Sequence, residues 1–544
     1  MDLGRQPQTS QWYAMTSRSA FVLIAALAAA VLAVAAVSLS TTLGLGLRED
    51  SFSYVTAAES LVAGTGLGRW AADGTFRPLT HFPPLFPFGL SLLRAIGLEL
   101  FSSSRILNGV LFALTAVLTG ILTRHLQATI GFSLFSGAFV LLSPLLIDVF
   151  SWLQSEPLYL ALTLLTLLAL GACLSRPSAA RPLWAAGIAA SLAVLTRYAG
   201  VSLVFLGIAL LLATGRGDRR KTARRVLLFS VLAMAPSVAV AFANSVSYGG
   251  FLDRPPPAWH PPTAEALTAA AASVLGWVIP DRVVAMLPAA AAAFSGVALL
   301  IVLGIGTLAL YRVLRRREDP SARSASRWTL LLLGHFLSYT LVIGLTVLFL
   351  DRLTPLNDRI LSPLYLTGIP VVAAWLSLLW TTQRRPAIRA LLVVLIVAFG
   401  IVQVYRSARF VESARVNGLG LSAREWILSP TLAFVRAQTD RPLYSNNLPA
   451  LYFHTGRNAA FLPSSWNAAS VESRSDFAGA LAVMREDLVC RGGLVVVVGS
   501  DPGNRIPSVD RAEILEGLSL LAEFDDGLVY AAPPAACDPG ASGD

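Results

Sequence analysis

The sequence predicts an α-helical polytopic membrane protein with about eleven transmembrane segments and a small extracytoplasmic α/β domain at its C-terminal end. Of its 544 residues, 55% are hydrophobic and only 14% are charged, and the mean hydropathy is +0.65. A soluble chain of this length divides into domains with polar surfaces and cannot bury so much apolar surface in one core. Apolar runs of about 18 residues or more, enough to cross a hydrocarbon layer about 30 Å thick, also recur along the first three quarters of the chain.

The basic residues are distributed as in a membrane protein and not as in a nucleic-acid-binding protein. The formal net charge is +10, and Arg and Lys cluster in loops between apolar runs, at 216–225, 312–327 and 384–389. We count about 20 basic residues in roughly 70 residues of such segments, against about 10 in roughly 125 residues of the other short loops. Cytoplasmic loops are typically rich in basic residues, so these segments are predicted to be cytoplasmic, and no nucleic-acid partner is predicted.

Most apolar runs are predicted to be single spans. They lie near 21–43, 106–123, 130–147, 157–174, 226–243, 286–311, 328–349, 360–380 and 388–404. Arg5 and Arg18 precede the first run and place the N-terminus in the cytoplasm. This run is longer than the apolar core of a cleaved signal peptide, so it is predicted to be retained as a span.

The apolar stretch from Leu183 to Ala213 has basic clusters on both sides. If both flanks are cytoplasmic, the stretch enters the membrane and returns, and each arm is short for a full crossing. We therefore predict a pair of short or broken helices, with the turn at Thr196–Gly200 and Arg197 near its outer tip. The complete topology predicts a multi-pass protein of the inner (plasma) membrane with a cytoplasmic N-terminus and an extracytoplasmic C-terminus.

The outside loops contain further elements. In the long loop 44–105, apolar residues of Ser51–Val62 recur at helical spacing, which predicts a helix lying in the membrane interface. A Pro-Pro-Leu loop at His81–Leu85 and a second interfacial segment near 88–98 follow. Beyond residue 404 the charges are mixed, and apolar runs such as Leu494–Val498 have the length of strands.

We therefore divide the chain into a transmembrane domain, 1–404, and an extracytoplasmic α/β domain with a flexible tail, 405–544. Within the second domain, the sequence predicts a helix at Ser422–Ala437. Three cysteines are too few for a disulfide framework. A single disulfide between Cys490 and Cys537 and two unpaired thiols both remain open.

Glu49 and Asp50 are the first candidates for chemistry. They follow the first span and precede the predicted interfacial helix, where partial burial would raise a carboxylate pKa toward neutrality and suit it to act as a general base. Purely structural roles are the alternative interpretation of these two residues. Asp50 could cap the helix, and Glu49 could pair with Arg48.

Other candidate binding residues are predicted to share this membrane face. Asp148 and Glu156 are the acidic ones, and Glu156 could instead serve only to favour the start of a helix whose next residue is Pro157. Arg197 lies in an apolar stretch, where arginine points to function. Arg352 and Arg359 could bind phosphate, or they could instead pair locally with Asp351 and Asp358. His81 could ligate a metal or donate a hydrogen bond, although a lone histidine in a loop commonly does neither.

The order of these motifs resembles the GT-C superfamily of membrane glycosyltransferases, which includes protein O-mannosyltransferases and bacterial aminoarabinose transferases. The resembling segments are Glu49–Ala58, the Pro-Pro-Leu loop His81–Pro87, Arg105–Asn108, Ser155–Pro157, the Thr-Arg turn Leu195–Gly200, and Arg359–Tyr365. No nucleotide-binding loop, dinucleotide fingerprint, nucleophile elbow or cysteine–histidine metal spacing occurs in the sequence.

This resemblance implies transfer of a sugar from a polyprenyl-phosphate-linked co-substrate to a glycan, lipid or protein acceptor on the outer face. Asp50, with Glu49 beside it, would supply the general base, and the reaction would invert the anomeric carbon. Arg359, helped by Arg352 or Arg197, would bind the lipid phosphate, and Asp148 or Glu156 would orient the acceptor or the sugar.

One departure affects the Pro-Pro-Leu loop and the use of metal. Some members of the superfamily carry a lysine or an acidic residue before the Pro-Pro pair, where this chain has His81-Phe82. The resemblance allows a divalent metal, but no residue pattern here requires one. Two other functions fit the sequence: a flippase or transporter for lipid-linked sugars, and a membrane-anchored scaffold whose C-terminal domain binds cell-wall polymer. A transporter would be expected to carry ionisable residues within central spans and inverted repeats.

Overall fold

The structure is a computed structural model of the chain. It describes residues 8–71, 74–176, 179–215, 218–248, 257–317, 319–351, 354–438, 441–467, 472–499 and 508–533.

Helices dominate the first 417 residues. In chain order they are α1 (Gln8–Ser40), α2 (Glu49–Val62), α3 (Leu85–Ala95), α4 (Leu100–His125), α5 (Ile130–Leu141), α6 (Pro144–Phe150), α7 (Glu156–Ser175), α8 (Ala180–Thr196), α9 (Val201–Thr214), α10 (Arg219–Tyr248), α11 (Ala264–Gly276), α12 (Asp281–Met286), α13 (Ala289–Arg316), α14 (Pro320–Leu345), α15 (Asp358–Thr382) and α16 (Pro386–Asn417). A short hairpin of β1 (Gly68–Trp70) and β2 (Phe76–Pro78) lies between α2 and α3.

Seven helices of the described residues are long and apolar enough to cross a membrane: α4, α7, α10, α13, α14, α15 and α16. The bent pair α5 and α6, with 55° between its axes, makes an eighth if it is one span. Shorter apolar helices include Ile24–Ser40, Ala180–Thr196 and Tyr198–Thr214, which correspond to the remaining predicted segments. The chain is therefore a multi-pass helical protein, and the number of about eleven crossings stays a prediction.

The predicted break in the stretch 183–213 is present. α8 ends at Thr196, Arg197 is extended with φ −149° and ψ 135°, and one 3₁₀ turn at Tyr198–Gly200 leads into α9. A Cβ added at Gly200 would lie 2.6 Å from the backbone of α8. Glycine is therefore needed for the turn to pack so closely, and the break presents Arg197 between two short helices.

The helices differ in how much of their surface the protein covers. Within the apolar window of each helix, 61% of α4, 67% of α7 and 56% of α15 is buried, against 11% of α10 and 6% of α16. Phe112 of α4 stacks on Phe150 of α6, with 4.6 Å between the ring centroids. α4, α7 and α15 thus form the centre of the bundle, and the exposed apolar faces of α10 and α16 suit contact with lipid.

The C-terminal part contains a five-stranded mixed sheet. Its strands are β3 (Leu443–Ser445), β4 (Ala460–Phe461), β7 (Leu494–Val498), β8 (Ser519–Phe524) and β9 (Gly527–Ala531), in the order β4-β3-β7-β9-β8, and β5 (Trp466–Asn467) pairs with β6 (Glu472–Ser473) separately. The helices are α17 (Arg424–Ile427), α18 (Pro430–Ala437), α19 (Leu448–Thr455), α20 (Phe477–Cys490) and α21 (Ser508–Leu515). The two strands nearest β3 on either side are parallel to it, and the other pairings are antiparallel.

Some predicted details of this part differ from the structure. The predicted helix 422–437 is wrong, because it is broken into α17 and α18 where Pro430 follows Ser429, whose hydroxyl caps α18 at 3.0 Å from the Leu432 amide. α16 runs unbroken through the boundary predicted at 404–405. Cys490 is disulfide-bonded, and Cys537 lies outside the described residues. The extracytoplasmic placement of the sheet and its domain bounds stay predictions.

Candidate active site

Four helix ends meet at one end of the bundle and bring predicted site residues together. Asp50 lies in the first turn of α2, Glu156 begins α7, Arg197 lies in the break between α8 and α9, and Arg359 lies in the first turn of α15. Helix N-termini carry a partial positive charge, which stabilises carboxylates such as Asp50 and Glu156. Residues from four distant parts of the sequence therefore form one polar site.

These four residues form a continuous chain of ion pairs, which we call the charge cluster. Arg359 donates from Nη2 to Oδ2 of Asp50 and from Nε to Oε1 of Glu156. Arg197 donates from Nη1 to the same oxygen of Glu156 and, at 3.2 Å, to the hydroxyl of Ser155. Arg359 thus joins two carboxylates, and Glu156 joins two guanidinium groups.

Burial differs across the charge cluster. The Glu156 side chain is only 3% exposed, whereas that of Asp50 is 22% exposed. A charge removed from water is strongly destabilising unless it is paired, so Glu156 depends on both arginines. Oδ1 of Asp50 forms no hydrogen bond with the described residues. Asp50 therefore keeps one accessible oxygen, while Glu156 is the buried centre of the cluster.

Asp148 lies near the charge cluster but is held separately. Its Oδ1 accepts a hydrogen bond of 2.8 Å from Nε1 of Trp152, and the guanidinium carbon of Arg48 lies 3.6 Å from the centre of the Trp152 ring. Burial lowers the pKa of Arg48, and the negative charge of Asp148 opposes this effect. A Cβ on Gly46 would lie 2.5 Å from the Trp152 ring, so the ring is closely packed against the backbone that leads to α2.

Tyr54 is a member of the site that the sequence reading did not single out. Its hydroxyl lies 3.2 Å from that of Ser155, and its side chain is buried. Burial, with the nearby charge of Asp50, raises the pKa of Tyr54 well above its usual value, so the phenol stays protonated. Tyr54 lies one helical turn after Asp50 and so shares its face of α2. This spacing from the candidate base was the feature of the sequence that could have identified Tyr54 as a site residue.

The other predicted site residues lie outside the charge cluster. Glu49 is exposed, and its side chain forms no hydrogen bond or ion pair with the described residues. The ring of His81 lies edge-on to Phe82 at 4.9 Å, and Phe82 in turn contacts Tyr54 at 5.0 Å. Arg352 lies outside the described residues.

Solved structures of known proteins have the same arrangement of helices. This chain matches the Archaeoglobus fulgidus oligosaccharyltransferase in complex with Zn and sulfate, with a TM-score of 0.55 and 13% identity. The match covers 93% of this chain and 73% of the oligosaccharyltransferase chain. The chain matches ArnT from Cupriavidus metallidurans bound to undecaprenyl phosphate over 95% of this chain and 100% of that chain, with a TM-score of 0.50 and 14% identity. The chain has the GT-C fold. Arabinofuranosyltransferase AftD from Mycobacteria, another GT-C protein, matches over 95% of this chain but only 40% of its own, with a TM-score of 0.53 and 17% identity.

The similarity to these proteins is one of three-dimensional structure. No protein-family model and no curated protein matches the chain by sequence. The fold expected from the order of short motifs is nevertheless the one that these structures share.

Metal binding does not fit the carboxylates of this candidate site as they are arranged here. Asp50 and Glu156 are both bonded to the guanidinium of Arg359. Among the described residues, no group of three or more His, Cys, Asp or Glu side chains lies together in a way that could hold a metal ion. Arg359 thus occupies the position between two carboxylates that a divalent cation would need.

Proposed function

We propose that this chain transfers a sugar from a polyprenyl-phosphate-linked donor to an acceptor hydroxyl at the extracytoplasmic face of the inner membrane. The observation that carries the proposal is the charge cluster, in which Arg359 bonds Asp50 at the end of the bundle predicted to face outwards. The GT-C fold supports it, and one neighbour with that fold, ArnT, is bound to undecaprenyl phosphate. A donor with such a lipid lies in the bilayer, which accounts for a membrane-embedded enzyme.

In this proposal Asp50 is the general base. Its free Oδ1 accepts the proton of the acceptor hydroxyl while the acceptor oxygen attacks the anomeric carbon. The bond between that carbon and the phosphate oxygen breaks, and its electron pair leaves with the polyprenyl phosphate. Because one displacement occurs at the anomeric carbon, its configuration inverts.

Arginine side chains stabilise the charge that develops on the leaving phosphate. Arg359 is in position for this role because it is already fixed by Glu156 beside Asp50. Arg197 shares Glu156 with Arg359 and keeps that carboxylate ionised and buried. Glu156 is therefore assigned to positioning the two guanidinium groups, and Asp148 to orienting the acceptor or the sugar from the Trp152 side.

A transporter of lipid-linked sugars is the main competing function. In the described bundle, the ion pairs between distant helices lie at one end, where α2, α7 and α15 begin. A substrate path across the bilayer would instead favour ionisable groups near the middle of spans. The placement of the charge cluster therefore favours a reaction at one membrane face.

The proposal is tested by sugar transfer in membranes from cells that lack the native gene, with and without the restored chain. Radiolabelled polyprenyl-phosphate sugars are supplied, and the linkage of the labelled product is analysed by NMR. We expect label to reach an acceptor only when the chain is present, with anomeric configuration opposite to that of the donor. Retained configuration would refute the single displacement. If no donor gives chain-dependent transfer while labelled lipid crosses the membrane, the transporter function replaces this one.

A further inference from the structure

Buried polar side chains lie between α7, α9 and α14, deeper in the bundle than the charge cluster. They are Tyr159 and Thr163 of α7, Ser202 of α9 and His335 of α14, and each is at most 1% exposed. The three hydroxyl oxygens and both ring nitrogens of His335 form no hydrogen bond with a described residue. Buried polar atoms are nearly always hydrogen-bonded, because burial removes their hydration. These five atoms therefore need partners that the described side chains do not supply.

α14 runs antiparallel to α7 and ends near the charge cluster. Its Tyr339 hydroxyl donates a 2.7 Å hydrogen bond to the carbonyl of Ile360, which follows Arg359 in the first turn of α15. Further from the cluster, the Trp328 ring packs against Gly171 of α7, where an added Cβ would lie 2.1 Å from a ring atom. These two contacts fix the register of α14 in the bundle.

This register places His335 at the depth of Thr163. His335 follows Trp328 by seven residues, and Thr163 precedes Gly171 by eight. Both therefore lie about 10–12 Å closer to the charge cluster than the contact between Trp328 and Gly171, at about 1.5 Å of rise per residue. Tyr159 precedes Thr163 by one turn on the same face of α7, and so lies one turn nearer the cluster.

α9 forms the third side of this region. Leu206 packs against Gly334, the residue before His335, where an added Cβ would lie 2.6 Å from the Leu206 side chain. Ser202 lies one turn before Leu206 on the same helix. Its hydroxyl faces that of Tyr159 without reaching hydrogen-bonding geometry. Polar atoms from three helices thus converge at one level of the bundle.

Water is the ligand that fits these atoms. A hydroxyl both donates and accepts, and an imidazole in its neutral form donates from one ring nitrogen and accepts at the other. A buried water does the same and bridges two to four such groups. None of the four side chains is an acid or a permanent cation, so a buried ion would lack an opposite charge here.

Glu156 connects this region to the charge cluster. Its Oε1 accepts from both Arg197 and Arg359, whereas its Oε2 forms no hydrogen bond with a described residue. Tyr159 follows Glu156 by three residues on α7, so the two side chains share a helix face. A water bonded to the Tyr159 hydroxyl and to Oε2 would complete the carboxylate.

We propose that ordered water molecules, held by His335 with Tyr159, Thr163 and Ser202, lie between α7, α9 and α14 and support Glu156 from within the bundle. Ionisable side chains within membrane spans commonly face polar partners or water, and His335 fits this rule. Since Glu156 holds both arginines of the cluster, His335 acts as a positioning residue. Its effect on sugar transfer rests on the proposed function, whereas the water site does not.

The water is tested in the native chain by hydroxyl-radical footprinting. Millisecond X-ray pulses split water, the radicals oxidise side chains that touch it, and mass spectrometry of the purified full chain in lipid nanodiscs quantifies the oxidation. The matched controls are Phe112 and Phe150, which are 0% exposed and stack on each other in the apolar core. We expect Tyr159 and His335 to be oxidised at least fivefold faster than these rings. Equal rates would overturn the inference without requiring any variant to fold.

His335→Phe tests whether His335 holds the water, because the ring keeps nearly its size but loses both nitrogens. The control is Thr329→Val on the same helix, where a 0% exposed hydroxyl is already bonded to the Ala325 carbonyl at 3.0 Å. Oxidation of Tyr159 should fall at least threefold in His335→Phe and stay unchanged in the control. The thermal unfolding midpoint of His335→Phe should also fall, whereas replacing a dry, unpaired imidazole would raise it. Unchanged oxidation or a raised midpoint would overturn the role of His335.

Positioning is tested by rescue. Glutamine carries a donor and an acceptor as imidazole does, so His335→Gln should keep the water. In the sugar-transfer assay, we expect His335→Phe to lower kcat about tenfold with KM for the lipid-linked sugar unchanged, and His335→Gln to keep at least half of the native kcat. A native kcat in His335→Phe, with Tyr159 oxidation lowered, would overturn the positioning role. The proposed function fails separately, because rapid oxidation of Tyr159 in a native chain that transfers no sugar would contradict the enzyme and leave the water site in place.

Discussion

Arg359 donates a hydrogen bond from Nη2 to Oδ2 of Asp50, a residue 309 positions earlier in the chain. The same guanidinium donates from Nε to Glu156 at the start of α7. One arginine therefore ties the first turns of α2, α7 and α15 together. Breaking a largely buried ion pair leaves its remaining charge without a partner, which is costly. The position of Asp50 therefore depends on α7 and α15, which are far from it in sequence.

Replacing Glu156 by Gln should destabilise the protein. The side chain is 3% exposed and pairs with both Arg197 and Arg359, so its loss leaves two partly buried guanidinium groups without their carboxylate. Removing one partner of a buried ion pair lowers the free energy of unfolding by about 3–5 kcal/mol. Thermal unfolding in one detergent measures the effect, with Glu265→Gln at an exposed site as control. Equal midpoints for both variants would contradict the structural role of Glu156.

Gly46→Ala should destabilise the segment that leads to α2. The added Cβ would lie 2.5 Å from the Trp152 ring, which is also stacked against Arg48 and hydrogen-bonded to Asp148. Overpacking of this kind lowers the free energy of unfolding by about 1–3 kcal/mol. In Gly304→Ala, where a Cβ meets nothing within 4 Å, stability should stay equal or increase. A thermal unfolding midpoint for Gly46→Ala at or above that of the native chain would contradict this prediction, because the Trp152 ring would then have moved to make room for the methyl group.

The C-terminal part should influence the reaction through α2. Tyr452 of α19 donates to Glu59, and its ring lies edge-on to Phe52 with 5.1 Å between centroids. Tyr452→Ala removes both contacts and should lower kcat about tenfold, since small displacements of a catalytic group reduce rates strongly. Tyr452→Phe keeps the ring contact and should retain most of the rate.

Hydrogen exchange of the α2 amides separates positioning from general instability in these two variants. Faster exchange in α2 is expected for Tyr452→Ala, with the bundle helices unchanged. If Tyr452→Ala transfers sugar at the native rate, the contact between α19 and α2 has no part in catalysis.

Acidification should weaken the attachment of α19. Burial lowers the pKa of His454, although the 2.8 Å hydrogen bond to the Leu421 carbonyl opposes this effect. The unfolded chain, with a histidine pKa of about 6.5, then binds the proton more readily, so folding stability falls as pH decreases through that value. Between about pH 7.5 and about pH 5.5, the native unfolding midpoint should fall more than that of His454→Gln. Equal slopes, or a steeper fall in the variant, would contradict the direction of the shift.

The sequence contained enough information to predict the helical bundle and the break at Arg197. Apolar length and basic flanks indicate spans whatever their partners are, and a long stretch with like flanks must turn back. The helix predicted at 422–437 was wrong because its periodicity continued through Pro430, whose missing N–H ended the helix locally.

The site was predictable only in part, because side-chain partners depend on how helices pack. Asp50, Glu156, Arg197 and Arg359 were all candidates, but sequence proximity suggested Asp358 as the partner of Arg359, whereas the structure pairs it with Asp50 and Glu156. The resemblance favoured Asp50 as the base, but the residue pattern alone did not distinguish it from Glu49. Consecutive helix residues point about 100° apart, so one faces the cluster and the other faces solvent.

The central claim, that Asp50 is the base, is tested most directly by comparing Asp50→Asn with Glu49→Gln in the sugar-transfer assay, at equal amounts of chain in the membrane. The two substitutions each remove one carboxylate, at adjacent positions of the same helix turn, but only Asp50 bonds to Arg359. We predict that Asp50→Asn lowers the transfer rate about a hundredfold or more, whereas Glu49→Gln retains the native rate within about twofold. Native rates in both variants, or a loss confined to Glu49→Gln, would contradict the assignment of Asp50 as the base.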